Sequence, residues 1–154
     1  YDALTGLNNR RAFYEHGQQL FQQARSGGRD LSVAMLDLDF FKRINDDHGH
    51  ASGDAALIGF ARAFSATFPD ALLGRLGGEE FAMVSQQDAA TLSDTLDQLR
   101  THCASLKYAI GAPALSFSAG IYHGAPDDLE SLLHQADLRL YQAKSQGRGR
   151  NCWQ

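Results

Sequence analysis

Leu31-Ser32-Val33-Ala34-Met35-Leu36-Asp37 is a nearly continuous apolar run that ends on a carboxylate. A run of that length with no polar face predicts a strand buried on both sides. Upstream, Phe13, Gly17, Leu20 and Ala24 recur at helical spacing and predict an amphipathic helix over 9–25, stopped by Ser26-Gly27-Gly28. Downstream, Leu57, Phe60, Ala61, Phe64 and Phe68 predict a helix over 54–68. Residues 72–76 and 81–85 are short apolar runs on either side of Gly77-Gly78-Glu79-Glu80, the pattern of a hairpin. Leu92, Leu96, Leu99 and Cys103 give a helix over 88–104. Residues 115–122 alternate, with Leu115, Phe117, Ala119 and Ile121 on one side, as in a strand with one face more buried. Leu129, Leu132, Leu133, Ala136, Leu140 and Ala143 mark a last helix stopped by Gly147, and a short strand is expected at 150–153. From 31 to 122 the order is β-α-β-β-α-β, the ferredoxin-like arrangement. The expectation is one α+β domain over 1–154, with helices on one side of a mostly antiparallel central sheet.

Composition narrows the partners. Fourteen basic against eighteen acidic residues give a net charge of −4, so no nucleic-acid-binding face is expected. No apolar run approaches the roughly 20 residues of a membrane span and no signal-peptide pattern is read in it, so membrane contact by this chain is not expected. Cys103 and Cys152 stand far apart in no metal-type spacing and read as thiols of a reducing, cytoplasmic compartment. The chain starts at Tyr1 rather than Met and is read as a piece of a longer protein, whose own anchoring is left open.

Two places put carboxylates where a core should not hold them. Asp37 should project from the same face as Val33 and Met35, where an unpaired charge is costly; a metal or a cation should meet it. Asp39 reads as the cap of a helix starting at Phe40. Gly77-Gly78 permits a tight turn, and Glu79 and Glu80 at its tip are either simply solvated or part of a site. In a β-α-β-β-α-β sheet the first and third strands are neighbours, so Asp37 and the two glutamates can meet at one end. A hard, oxygen-seeking cation such as Mg²⁺ would relieve their repulsion.

Between these lies Phe40-Phe41-Lys42-Arg43-Ile44-Asn45-Asp46-Asp47-His48-Gly49-His50-Ala51-Ser52-Gly53-Asp54. Lys42 supplies a cation beside the acidic strand end. Asn45 can donate and accept. Asp54 can accept from the N1–H and exocyclic amine of guanine, an edge adenine lacks, or it can cap the following helix. Lys144 and Arg148 close the last helix, either as dipole partners or as phosphate ligands.

Together these segments resemble the GGDEF family. Asp2-Ala3-Leu4-Thr5-Gly6-Leu7-Asn8-Asn9-Arg10-Arg11 is similar to its opening, Asp37 to Asp54 to its D-x-D-x-F-K-x-x-N-D-x-x-G-H-x-x-G-D segment, and Gly77 to Phe81 to its signature in the glutamate form. Ala136-Asp137 with Leu140-Tyr141-Gln142-Ala143-Lys144 and Gly147-Arg148 resembles its closing motif. The resemblance implies a fold like nucleotide cyclase and polymerase palm domains and a diguanylate cyclase. Two GTP would condense into cyclic di-GMP across a transient or regulated homodimer. It implies Mg²⁺ or Mn²⁺, two ions per site, on Asp37, the carbonyl of Leu38, Glu79 and Glu80. Glu79 would also take the 3′-hydroxyl proton and Lys42 would steady the transition state. Lys144 and Arg148 would meet the triphosphate and Asn45 and Asp54 the guanine, with Phe40, Phe41, Lys42 and His50 further substrate contacts.

One departure matters. Relatives inhibited by their product carry Arg-x-x-Asp ending six residues before the first signature glycine, and here those positions are Phe68-Pro69-Asp70-Ala71. No allosteric inhibitory site is therefore expected. A GTP sensor or product-binding module without turnover is the competing reading; the intact carboxylates and Lys42 argue against it. A cyclase of relaxed base choice is a third, against which Asp54 counts.

Overall fold

A computed structural model describes residues 1–154. The elements are α1 (Arg10–Ser26), β1 (Leu31–Leu38), α2 (Phe41–His48), α3 (His50–Thr67), β2 (Leu72–Gly77), β3 (Glu80–Ser85), α4 (Ala89–Ala104), β4 (Phe117–Gly124), α5 (Leu129–Ser145) and β5 (Asn151–Cys152). One sheet holds all five strands in the order β2-β3-β1-β4-β5. The β2–β3, β3–β1 and β1–β4 pairs are antiparallel, and β5 adds to β4 in parallel. The expected mostly antiparallel core is thus amended to a mixed sheet, because the chain re-enters after α5 on the β4 edge.

The expectation of helices on one side also needs correction. Ala34, Leu36 and Leu38 of β1 face α3 and α4, while Leu31, Val33 and Met35 face α1 and α5. Both faces are covered, as the unbroken apolar run of β1 requires. The helices that close the second face lie outside the 31–122 pattern, so that pattern could not place them.

Two local features set up the functional end. Phe60 packs against Phe81 at 4.6 Å, Phe64 at 5.3 Å and Phe117 at 5.4 Å, each contact contributing roughly 0.5–1.5 kcal/mol beyond area burial. That nucleus fixes Phe81, and hence the start of β3, directly after Glu80. Second, the predicted helix over 54–68 begins at His50, and a separate α2 precedes it. Gly49, at φ 87°, makes the break between them in a conformation side chains resist. Asp54 therefore lies inside α3 and caps nothing.

Candidate functional site

The site starts from the register of β1. Asp37 lies opposite Glu80 on β3 and Ser118 on β4. Alternation turns its side chain to the Val33–Met35 face, toward α5. It is 7% exposed. Lys144, in the last turn of α5, donates from Nζ to Asp37 Oδ2. The other oxygen, Oδ1, is buried without any hydrogen-bond partner. Burial pushes the Asp37 carboxyl above its ordinary range, Lys144 opposes this, and the charges of Glu79 and Glu80 push the same way as burial. The expected cation partner of Asp37 is thus Lys144, and one carboxylate oxygen remains to be satisfied.

The hairpin supplies the next wall. Gly78, at φ 46°, and Glu79 form a two-residue turn with the positive φ at its first position, which a residue without Cβ adopts freely. Leu38 N–H donates to the Glu79 carbonyl at 3.2 Å, which ties the turn to the end of β1. From the far side, Arg75 Nε donates to the Gly78 carbonyl at 2.9 Å, and its Nη1 donates to Asp2 at 3.1 Å. Asp2 also accepts from the Thr5 N–H and hydroxyl. Burial raises the Asp2 carboxyl, but the Thr5 and Arg75 donors outweigh that and hold it below the ordinary range. The N-terminal segment is in this way strapped to the β2–β3 hairpin.

The opposite wall is the entry to α2. Phe40 adopts a left-handed φ of 56° and caps α2 without any side-chain bond. Asp39 is not the helix cap that its position suggests. It is 8% exposed and turned inward, accepting from Ser118 Oγ at 2.6 Å and from Gly149 N–H at 3.1 Å. Those bonds pin the loop after α5, where Arg148 itself holds a left-handed φ of 65°. Such a backbone costs a non-glycine residue roughly 1–3 kcal/mol and persists only when its surroundings enforce it. Gly149 also has a positive φ, 60°, which accounts for a residue there that tolerates the left-handed region.

Between the walls is an open, polar cavity of about 420 Å³. Of the predicted site residues, Asp37, Leu38, Phe40, Phe41, Lys42, Glu79, Lys144 and Arg148 line it. Glu80, Asn45, His50 and Asp54 do not; Glu80 lies beside Asp37 in register, and the other three sit farther along α2 and α3. Asn45 is held against Gly53, where an added Cβ would come within 1.8 Å of its Oδ1. The cavity also takes in Asp39, Arg43, Asp46 and Asp47, which the sequence reading gave no role in it. For Arg43 a signal existed: it follows Lys42 in the first turn of α2, where no acid is present and a cation opposes the helix dipole. No three His, Cys, Asp or Glu side chains stand close enough to hold a metal ion by themselves. Chemically, the cavity sets carboxylates against a basic wall and an uncapped helix N-terminus, an arrangement suited to a polyphosphate.

Residues 1–150 match the family model described as diguanylate cyclase, GGDEF domain. The chain is 38% identical over 150 residues to the diguanylate cyclase DgcP of Escherichia coli, covering 93% of this chain and 44% of that protein. It is 36% identical to the cyclic di-GMP phosphodiesterase NbdA of Pseudomonas aeruginosa, covering 96% of this chain and 20% of that protein. Among solved structures, the GGDEF domain of DgcB from Caulobacter crescentus, in complex with c-di-GMP, superimposes with a TM-score of 0.90 at 33% identity, over 99% of this chain and 91% of that one. The chain spans less than half the length of either curated relative.

Proposed function

Because the chain belongs to the GGDEF family of diguanylate cyclase domains, we propose that it condenses two GTP into cyclic di-GMP and two pyrophosphates. Each half-reaction forms a bond from a 3′-oxygen to an α-phosphorus and breaks the bond to pyrophosphate. Each cavity accommodates one nucleotide, so two chains must face each other.

The observation that carries the reading is Asp37 Oδ1, a buried carboxylate oxygen with no donor, at the edge of a cavity that holds both signs of charge. That oxygen, the Leu38 carbonyl and Glu79 would hold a divalent ion, with Glu80 beside them. Mg²⁺ or Mn²⁺, two per site in this reading, would supply Lewis acidity toward the attacking hydroxyl and offset α-phosphate charge. Glu79 accepts the 3′-hydroxyl proton. Lys42 stabilises charge developing on the phosphate. The backbone at Phe40 and Phe41, with Lys144 and Arg148, holds the triphosphate. Asn45 and Asp54 hold the guanine, and His50 lies at the same end. The reading places the domain in the cytoplasm, where Cys103 and Cys152 remain free thiols; no helix is long and apolar enough to cross a membrane.

Incubation with GTP and Mg²⁺, with identification of the product, tests this. Binding alone is insufficient, since a relative named as a phosphodiesterase shares the domain. Wild-type chain should form cyclic di-GMP, with specific activity rising with chain concentration. Glu79→Gln should reduce turnover to background at unchanged melting temperature. Folded wild-type chain that binds GTP and forms no product would sink the proposal.

A further inference from the structure

Arg43 is absent from the contacts assigned above, yet three observations converge on it. Its guanidinium sits 4.9 Å from the centroid of the Phe40 ring, and that of Arg148 sits 5.0 Å from the same centroid. Phe40 is 52% exposed, so the ring is spent on these two cations rather than on the core. Neither arginine has a carboxylate within ion-pair distance, although Asp37, Asp39, Asp46, Asp47 and Glu79 line the same cavity, so both forks stay free inside it. Finally, Arg43 occupies the first turn of α2, where the helix dipole disfavours a cation. A residue that breaks a local rule, with only an exposed ring to hold it and no charge to neutralise it, points to a ligand. The same cavity holds Asp37 Oδ1, buried and unpartnered, as an independent sign that something binds there.

We propose that Arg43 is a further substrate-binding residue, which with Arg148 forms a two-guanidinium clamp on the terminal phosphates of the nucleotide, both held on Phe40. This deepens the diguanylate cyclase reading and rests on it for the identity of the nucleotide. The ring supplies what two like charges need: cation–π attraction fixes each fork without neutralising it. An aromatic support also restricts a long side chain before the ligand arrives, so less freedom is lost on binding. Arg rather than Lys suits the role, because its planar fork pairs with two phosphate oxygens at once.

The test is calorimetric titration of the 154-residue chain with a non-hydrolysable GTP analogue and, separately, with guanosine, both in Mg²⁺. Arg43→Gln should weaken the analogue about tenfold, as loss of a charge-assisted hydrogen bond does, and leave guanosine unchanged. Arg43→Lys should fall between. Arg62→Gln, on the outer face of α3, is the control. An analogue affinity within twofold of wild type in Arg43→Gln would overturn the inference, and so would an equal loss for guanosine. So would failure of the wild-type chain to bind the analogue. Product formation is measured apart: a wild-type chain that binds the analogue but makes no cyclic product defeats the cyclase reading and leaves Arg43 to be judged by the analogue alone.

Discussion

Lys144, in the last turn of α5, donates to Asp37, at the end of β1, across 107 residues of chain. The pair joins the basic and acidic walls of the cavity, so the lysine cannot give its whole charge to a phosphate while it serves the aspartate. Lys144→Gln should leave a buried carboxylate with no cation. Because the Lys144 side chain is one-third exposed, the loss is smaller than for a fully buried pair, about 1–2 kcal/mol by urea unfolding without divalent ions. Equal stability of variant and wild type would show that solvent, not Lys144, carries the Asp37 charge.

Gly53 should separate base recognition from stability. It lies inside α3 with an ordinary helical backbone, so alanine there favours the helix by up to about 1 kcal/mol. Its Cβ, however, would collide with Asn45 Oδ1 at 1.8 Å. Gly53→Ala should raise KM for GTP about tenfold, for one displaced hydrogen-bonding group, with no drop in melting temperature. Asp54→Ser should reduce the preference for GTP over ATP in the same assay. An unchanged KM in Gly53→Ala together with unchanged base preference in Asp54→Ser would remove this end of α2 and α3 from the guanine site.

Product inhibition should be competitive only. Phe68, at the position where an inhibitory arginine would stand, is 5% exposed and packs edge-on against Phe64 at 5.8 Å. It belongs to the core, which is why an arginine cannot simply be restored there. Phe68→Arg should destabilise the chain by at least about 3 kcal/mol. Calorimetry of cyclic di-GMP with the active site blocked by a GTP analogue should show no strong second site; tight binding lost on changing residues 68–71 would contradict this.

Alkaline pH should weaken the fold through Cys103. Burial pushes its thiol up to about 12 from an ordinary 9.0, with the Arg100 charge opposing. Between those values the unfolded chain has lost its proton and the folded chain keeps it, so the folded state binds more protons and stability falls as pH rises. Each pH unit in that window removes about 1.4 kcal/mol. The slope should flatten in Cys103→Ala. At neutral pH a thiol reagent should label Cys152 and spare Cys103 until unfolding.

Apolar runs and periods located eight of the ten elements, because one buried face per element leaves a trace at its own spacing; β5, two residues with neither buried, was expected without such a trace, and α2 only as the helix starting at Phe40. The break at Gly49 was not visible, since α2 buries only Ile44 and so has almost no period of its own. Asp39 misled for a different reason. An aspartate before an apolar residue satisfies the local rule for a cap, but a hydroxyl 79 residues away and an amide 110 residues away outcompete it. The carboxylates and Lys42 were legible as a motif. What brings them together, Lys144 on Asp37 and Arg75 under Gly78, is long-range pairing that no window of sequence contains.

At Gly120 the backbone of α5 lies directly on β4: a Cβ there would stand 2.0 Å from the Ala136 carbonyl oxygen and 2.2 Å from the Leu140 nitrogen. Side chains give way under load, but two main chains in contact do not. The helix is therefore keyed to the sheet like a shaft in a slot, unable to roll or slide without lifting off. Lys144 lies two turns beyond Ala136, about 12 Å along that shaft. The accuracy with which it reaches Asp37 is a tolerance set at a residue that touches no part of the cavity, and the smallest added side chain at 120 would be felt as a misaligned lysine.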